Sequence, residues 1–90
     1  MSVQISIPTI LRQYTDGART VPGEGDTVGA VIDDLETRHP GLRDRLIEDQ
    51  SLRRFVNLYV NDEDVRFLDG LQTTLSEGDT VTILPAVAGG

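Results

Sequence analysis

Apolar and polar residues alternate at the start of the chain: Val3, Ile5 and Ile7 interleave with Ser2, Gln4 and Ser6. That period of two predicts a half-buried strand, ended by Pro8, which cannot donate to a ladder. Arg19-Thr20-Val21, after the turn-forming Thr15-Asp16-Gly17, predicts a second strand. The two form a hairpin whose long loop holds Ile10, Leu11 and Tyr14. The period then changes. Val28, Val31, Ile32 and Leu35 recur at i, i+3, i+4 and i+7, the stripe of an amphipathic helix. Asp26 or Thr27 can cap it, Asp33, Asp34 and Glu36 lie off the stripe toward water, and Pro40-Gly41 ends it. About twelve residues give ~18 Å of helix, enough to cross a small sheet once.

Leu42, Leu46 and Ile47 predict a short helical turn, followed by a polar stretch from Glu48 to Arg54. A third strand follows, with Val56, Leu58 and Val60 on one face and Phe55, Asn57 and Tyr59 on the other. Asn61-Asp62-Glu63-Asp64 reads as a turn and Val65-Arg66-Phe67 as a short return strand. Leu71 and Leu75 suggest another brief helical turn before Gly78-Asp79. In the last strand, Thr80 to Leu84, Val81 and Ile83 face in while Thr80, Thr82 and Leu84 face out. The order predicts an α+β fold with one helix packed on one face of a sheet. We expect one domain over residues 1–84 and a flexible tail over residues 85–90.

Composition narrows the chemistry. Ninety residues leave no room for a second core. There is no Cys, hence no disulfide, thiolate metal site or cysteine nucleophile, and one His leaves no triad to assemble. All eight basic side chains are Arg against fifteen Asp and Glu, a net charge of −7 that disfavours nucleic-acid binding. No apolar run approaches the roughly 18 residues needed to span a membrane. Met1-Ser2-Val3-Gln4 lacks the basic leader of a secretory signal, so a cytoplasmic protein is expected. Gly23-Glu24-Gly25-Asp26 lacks the lysine of a phosphate loop and reads as a turn and cap. Asn61 to Asp64 lacks the glycine and distal glutamate of a calcium loop, so no metal site is expected. His39 suits a helix end, and Arg53-Arg54 offset nearby carboxylates.

The ending, Pro85-Ala86-Val87-Ala88-Gly89-Gly90, carries no charged side chain. Extended, six residues reach at most about 20 Å. Two readings fit: a frayed terminus without a task, or a slim tail that carries its carboxylate into another protein's pocket.

Three segments decide between them: Ser6-Ile7-Pro8-Thr9-Ile10-Leu11-Arg12, Val60-Asn61-Asp62-Glu63-Asp64-Val65-Arg66-Phe67, and Thr82-Ile83-Leu84-Pro85-Ala86-Val87-Ala88-Gly89-Gly90. With Asp26-Thr27-Val28-Gly29-Ala30-Val31-Ile32, they make the chain resemble the β-grasp, ubiquitin-like sulfur carriers of the ThiS/MoaD family, nearest the cysteine-biosynthesis branch. The resemblance implies a mixed sheet with one main helix on one face. It also implies that an E1-like enzyme uses ATP to adenylate the Gly90 carboxylate, which a sulfur donor converts to a thiocarboxylate. In that branch the sulfur passes to O-phosphoserine on a PLP-dependent cysteine synthase, and a metalloprotease releases the cysteine adduct. The chain would then be a protein co-substrate, not an enzyme, binding no cofactor itself. Gly89, Ala88, Val87, Ala86 and Pro85 would thread a partner's channel, where glycine's missing Cβ lets the backbone pass. Phe55, Tyr59 and Leu84, sharing the outer face beside the tail's root, would form a partner patch. Carriage of sulfur to molybdopterin, thiamin or a secondary metabolite, and ubiquitin-like conjugation, stay open as alternatives. With no Lys, the chain could build polymers only through its N-terminal amine.

Overall fold

The computed structural model of the chain describes residues 2–49, 51–53 and 56–85. The first alternation forms β1 (Ser2–Ser6), paired antiparallel with β2 (Thr20–Glu24). The loop between them is more ordered than its sequence suggested: Thr9–Tyr14 winds into a 3-10 helix. Arg12 Nε binds the carbonyl of Ile7 there, and the buried Thr15 hydroxyl binds those of Arg12 and Ala18. Strand β2 starts and ends later than expected and contains Pro22, opposite Gln4. The bond from Ile7 N–H to Arg19 O sets the ladder's phase. Pro22 therefore falls at a position that exchanges no bond with β1, and its missing donor faces the open edge of the sheet.

Helix α1 (Val28–Arg38) buries Val28, Val31, Ile32 and Leu35, the stripe expected of it. Thr27 is the cap, its hydroxyl accepting from Ala30 N–H at 3.2 Å. Asp26 instead offers its carbonyl to Leu75 N–H, which ties the helix start to the chain before the last strand. The carboxylates off the stripe do more than face water. Asp34 accepts from Glu24 N–H, Asp33 meets Arg43, and Glu36 accepts from the N–H groups of Gly41 and Arg43 at 3.0 Å each. Glu36 thus caps α2 (Leu42–Leu46) from another helix, because Gly41 at φ +97° has no side chain with which to do so. The polar stretch beyond holds a two-stranded ribbon of β3 (Ile47–Glu48) and β4 (Ser51–Leu52), which its composition did not reveal.

Strand β5 (Val56–Val60) buries Val56, Leu58 and Val60 as its alternation requires. The expected return strand lies earlier: β6 is Glu63–Asp64, and Val65–Phe67 forms a 3-10 turn. The Asp64 carboxylate accepts from Arg66 N–H at 2.8 Å, so the chain curls where a strand would continue. A second 3-10 turn is Gly70–Gln72; Leu75, beyond it, is buried. Strand β7 (Thr80–Pro85) reaches one residue past Leu84, so Pro85, the first residue of the expected tail, belongs to the ladder.

The main sheet has the order β2-β1-β7-β5-β6, with β7 parallel to β1 and antiparallel to β5. One cluster joins the α1 stripe to Val3, Ile5, Leu58, Val81 and Ile83 on the inner face. This is the mixed β-grasp sheet with one main helix on one face. Among the described residues, no helix is long and apolar enough to cross a membrane.

Candidate functional site

The last strand occupies the centre of the sheet: β1 flanks it over Thr80 to Thr82, and β5 pairs with it through to Pro85. The bond from Asn61 N–H to Thr80 O, 2.7 Å, fixes which β5–β7 pairs exchange hydrogen bonds. By alternation these are Tyr59 with Thr82 and Asn57 with Leu84. Pro85, opposite Val56, falls in the other phase, where the β5 ladder loses nothing to a residue without N–H. The strand can therefore run up to the proline without a break in its pairing to β5.

The register brings two of the three expected patch residues together. Tyr59 lies beside Thr82, and with Leu84, Asn61 and Asp62 they line a shallow depression of about 240 Å³ on the outer face. Leu84 is 45% exposed, whereas its neighbours in the strand, Val81 and Ile83, are buried. Phe55 lies outside the described residues, as do Ala86, Val87, Ala88, Gly89 and Gly90. The side chain of Pro85 is likewise not described.

Arg66 was not singled out by its sequence context, yet it braces this site. Strand β6 pairs only with Tyr59 and Val60, which leaves the start of β5 without a neighbour on that edge. The Arg66 guanidinium takes the neighbour's place, donating to Val56 O at 2.6 Å, Arg53 O at 3.1 Å and the Asn57 side-chain oxygen. Val56 and Asn57 are the residues that face Pro85 and Leu84. A side chain thus supplies the bonds an edge strand would have made, opposite the root of the tail. Phe67, the next residue, is 87% exposed and also went unnoticed in the alternation. The available signal was the Asp64 cap two residues before Arg66, which favours a turn over a strand.

Of the features set aside earlier, the turn over residues 61–64 contributes Asn61 and Asp62 to the depression, while His39 and residues 23–26 stay outside this site. His39 is the C-cap of α1, its N–H bonded to Leu35 O. Arg53 pairs with Glu48 at 2.8 Å, and Arg54 lies outside the described residues. Gly23 and Glu24 belong to β2. No group of acidic or His side chains among the described residues is placed to hold a metal ion. What the described residues offer is a central strand that ends at Pro85, beside an accessible depression in which Tyr59 and Leu84 stand among Asn61, Asp62 and Thr82.

Comparison with known proteins agrees with that geometry. The ThiS family profile matches residues 5–90. The sulfur carrier protein CysO of Mycobacterium tuberculosis is 59% identical over 93 aligned positions, covering all of both chains. Small archaeal modifier protein 3 of Haloferax volcanii is 47% identical over 64 residues, 71% of this chain and 70% of its own. The structure superposes with a TM-score of 0.94 on a chain of the Amycolatopsis orientalis BexX/CysO complex, at 57% identity, covering 98% of this chain and 99% of the other.

Proposed function

The chain belongs to the ThiS family, and on that premise we propose that it is a sulfur carrier whose reactive group is the Gly90 carboxylate. The observation that carries this reading is the full-length likeness to a sulfur carrier protein, which runs through the terminal Gly-Gly. The chain acts as a co-substrate, and the catalytic groups belong to its partners.

A carboxylate is a poor electrophile because its charge is shared by two equivalent oxygens and its leaving group would be oxide. In an E1-like partner, a Gly90 oxygen attacks the α-phosphorus of ATP and pyrophosphate departs, leaving an acyl adenylate. Sulfide attacks its carbonyl carbon, AMP departs with the bonding pair, and one proton is released to give the thiocarboxylate. Sulfur held this way needs no cysteine in the chain, in keeping with its composition. A Cβ at position 89 or 90 would crowd a narrow channel, and the β7 root limits how far the tail can wander.

The thiocarboxylate then displaces phosphate from O-phosphoserine on a PLP-dependent cysteine synthase. A shift of the acyl group from sulfur to nitrogen leaves cysteine amide-linked to Gly90, and hydrolysis by a metalloprotease frees it. The likeness to CysO supports this acceptor over molybdopterin, thiamin or a secondary metabolite. A ubiquitin-like modifier is the second reading, favoured by the likeness to a small archaeal modifier protein.

Intact mass separates the two. Incubated with an E1-like enzyme, ATP and sulfide, the chain is expected to gain the mass of one sulfur-for-oxygen exchange, and deletion of Gly90 to abolish it. A terminus that stays a plain carboxylate overturns the carrier reading, and adducts to other proteins' lysines favour the modifier. Adding O-phosphoserine and the cysteine synthase tests the acceptor by the appearance of a cysteinyl adduct.

A further inference from the structure

We propose that the turn from Val65 to Leu68 is a second docking element, apart from the outer face of the sheet. Phe67 is its anchor, and its occupant is an apolar, basic-rimmed pocket on the ATP-dependent enzyme that activates the tail. This rests on the carrier reading above. Phe67 is 87% exposed and Leu68 38%, while Val65 in the same turn is fully buried. The fold thus takes one apolar side chain from the turn and leaves the largest standing in water.

The mount beneath the ring is rigid. Asp64 caps the turn through Arg66 N–H, Leu68 N–H closes it onto Val65 O at 3.0 Å, and the Arg66 guanidinium fastens it to Arg53, Val56 and Asn57. Binding an aromatic side chain on such a mount orders little backbone and only two side-chain torsions, which suits an interface anchor. The same arginine ties the turn to the residues facing Leu84 and Pro85. A partner that draws in the tail from its root therefore meets the turn next to that root.

Charge identifies the occupant. Asp62, Glu63 and Asp69 are all exposed around the turn. The guanidinium of Arg66, the sole basic residue from Asn61 to Gly70, is directed at the strand. The surface is an apolar centre with an acidic rim. A second copy of a chain with net charge −7 would bring like charge to it. An enzyme that binds the polyphosphate of ATP and guides a carboxylate to the α-phosphorus must be cationic around its entrance, and complements the rim.

The test follows pyrophosphate release by the purified E1-like activating enzyme with ATP, at varied concentrations of the chain. Phe67→Ala is expected to raise KM for the chain about tenfold with kcat and the denaturation midpoint unchanged. Phe67→Leu should recover most of the loss, and Glu63→Gln with Asp69→Asn should flatten the rise of KM with added NaCl. An unchanged KM for Phe67→Ala, while the wild type is activated, overturns the docking element and leaves the carrier reading intact. Failure of the wild type to be activated overturns the carrier reading and this proposal with it.

Discussion

The two faces of β5 and β7 are built from the same backbone and alternate residue by residue, yet they serve opposite ends. On the inner face Leu58, Val60, Val81 and Ile83 are at most 7% exposed and pack under the α1 stripe. On the outer face Leu84 is 45% exposed and lines an open depression with Tyr59 and Thr82. The difference shows how a chain of ninety residues builds a core and still leaves one face of its sheet accessible. Folding uses one side of each strand, and the other side is left open, since a sheet with a single helix layer has no second layer to cover it.

Substitutions on the two faces should therefore separate stability from binding. The largest loss of stability is expected on the inner face: Leu58→Ala, at a fully buried position, should cost about 2–5 kcal/mol in chemical denaturation. Arg66→Ala comes next. It leaves the carbonyls of Arg53 and Val56 without their charged donor, at about 1–3 kcal/mol. Amide exchange should quicken first at Asn57 and Leu84, the rung beside the lost brace. The smallest stability change belongs to the outer face, where Tyr59→Ala with Leu84→Ala should alter stability by less than about 1 kcal/mol. The same pair should weaken the activating enzyme's affinity roughly tenfold, measured by titration. Unchanged affinity would remove the outer face from the docking surface and leave the inner face's role untouched.

The site was legible to different depths along the chain. Leu84 and Tyr59 were placed on a common face by counting alternate residues, and the register of β5 against β7 bears that out. In the terminal segment the glycine pair, the proline and the missing charges are properties of composition, independent of what the segment touches, and beyond Pro85 it lies outside the described residues. Arg66 and Phe67 were not, because the same residues satisfy a strand pattern and a capped turn equally well. The deciding interaction is the Asp64 carboxylate on Arg66 N–H, whose outcome is settled by whether Val65 can reach the core. Glu36 shows the same limit. Its place off the helical stripe predicted solvent, and only the return of the chain through Gly41 brought two bare N–H groups to it.

By itself, the sequence determined β1, α1, β5 and β7 and which of their faces are buried, and that a lysine-free, cysteine-free chain carries an uncharged segment from Pro85 to Gly90. These follow from local periodicity and side-chain chemistry, which need no knowledge of neighbours. Tertiary structure alone decided that the last strand lies at the centre of the sheet, parallel to the first, and that Pro85 falls in a phase where its missing donor costs β5 no bond. It likewise decided that an arginine from the turn after β6 takes the place of a missing edge strand opposite Leu84 and Pro85. Strand order and hydrogen-bond phase depend on segments brought together from far along the chain, and a pattern of single residues carries no record of which partners they meet.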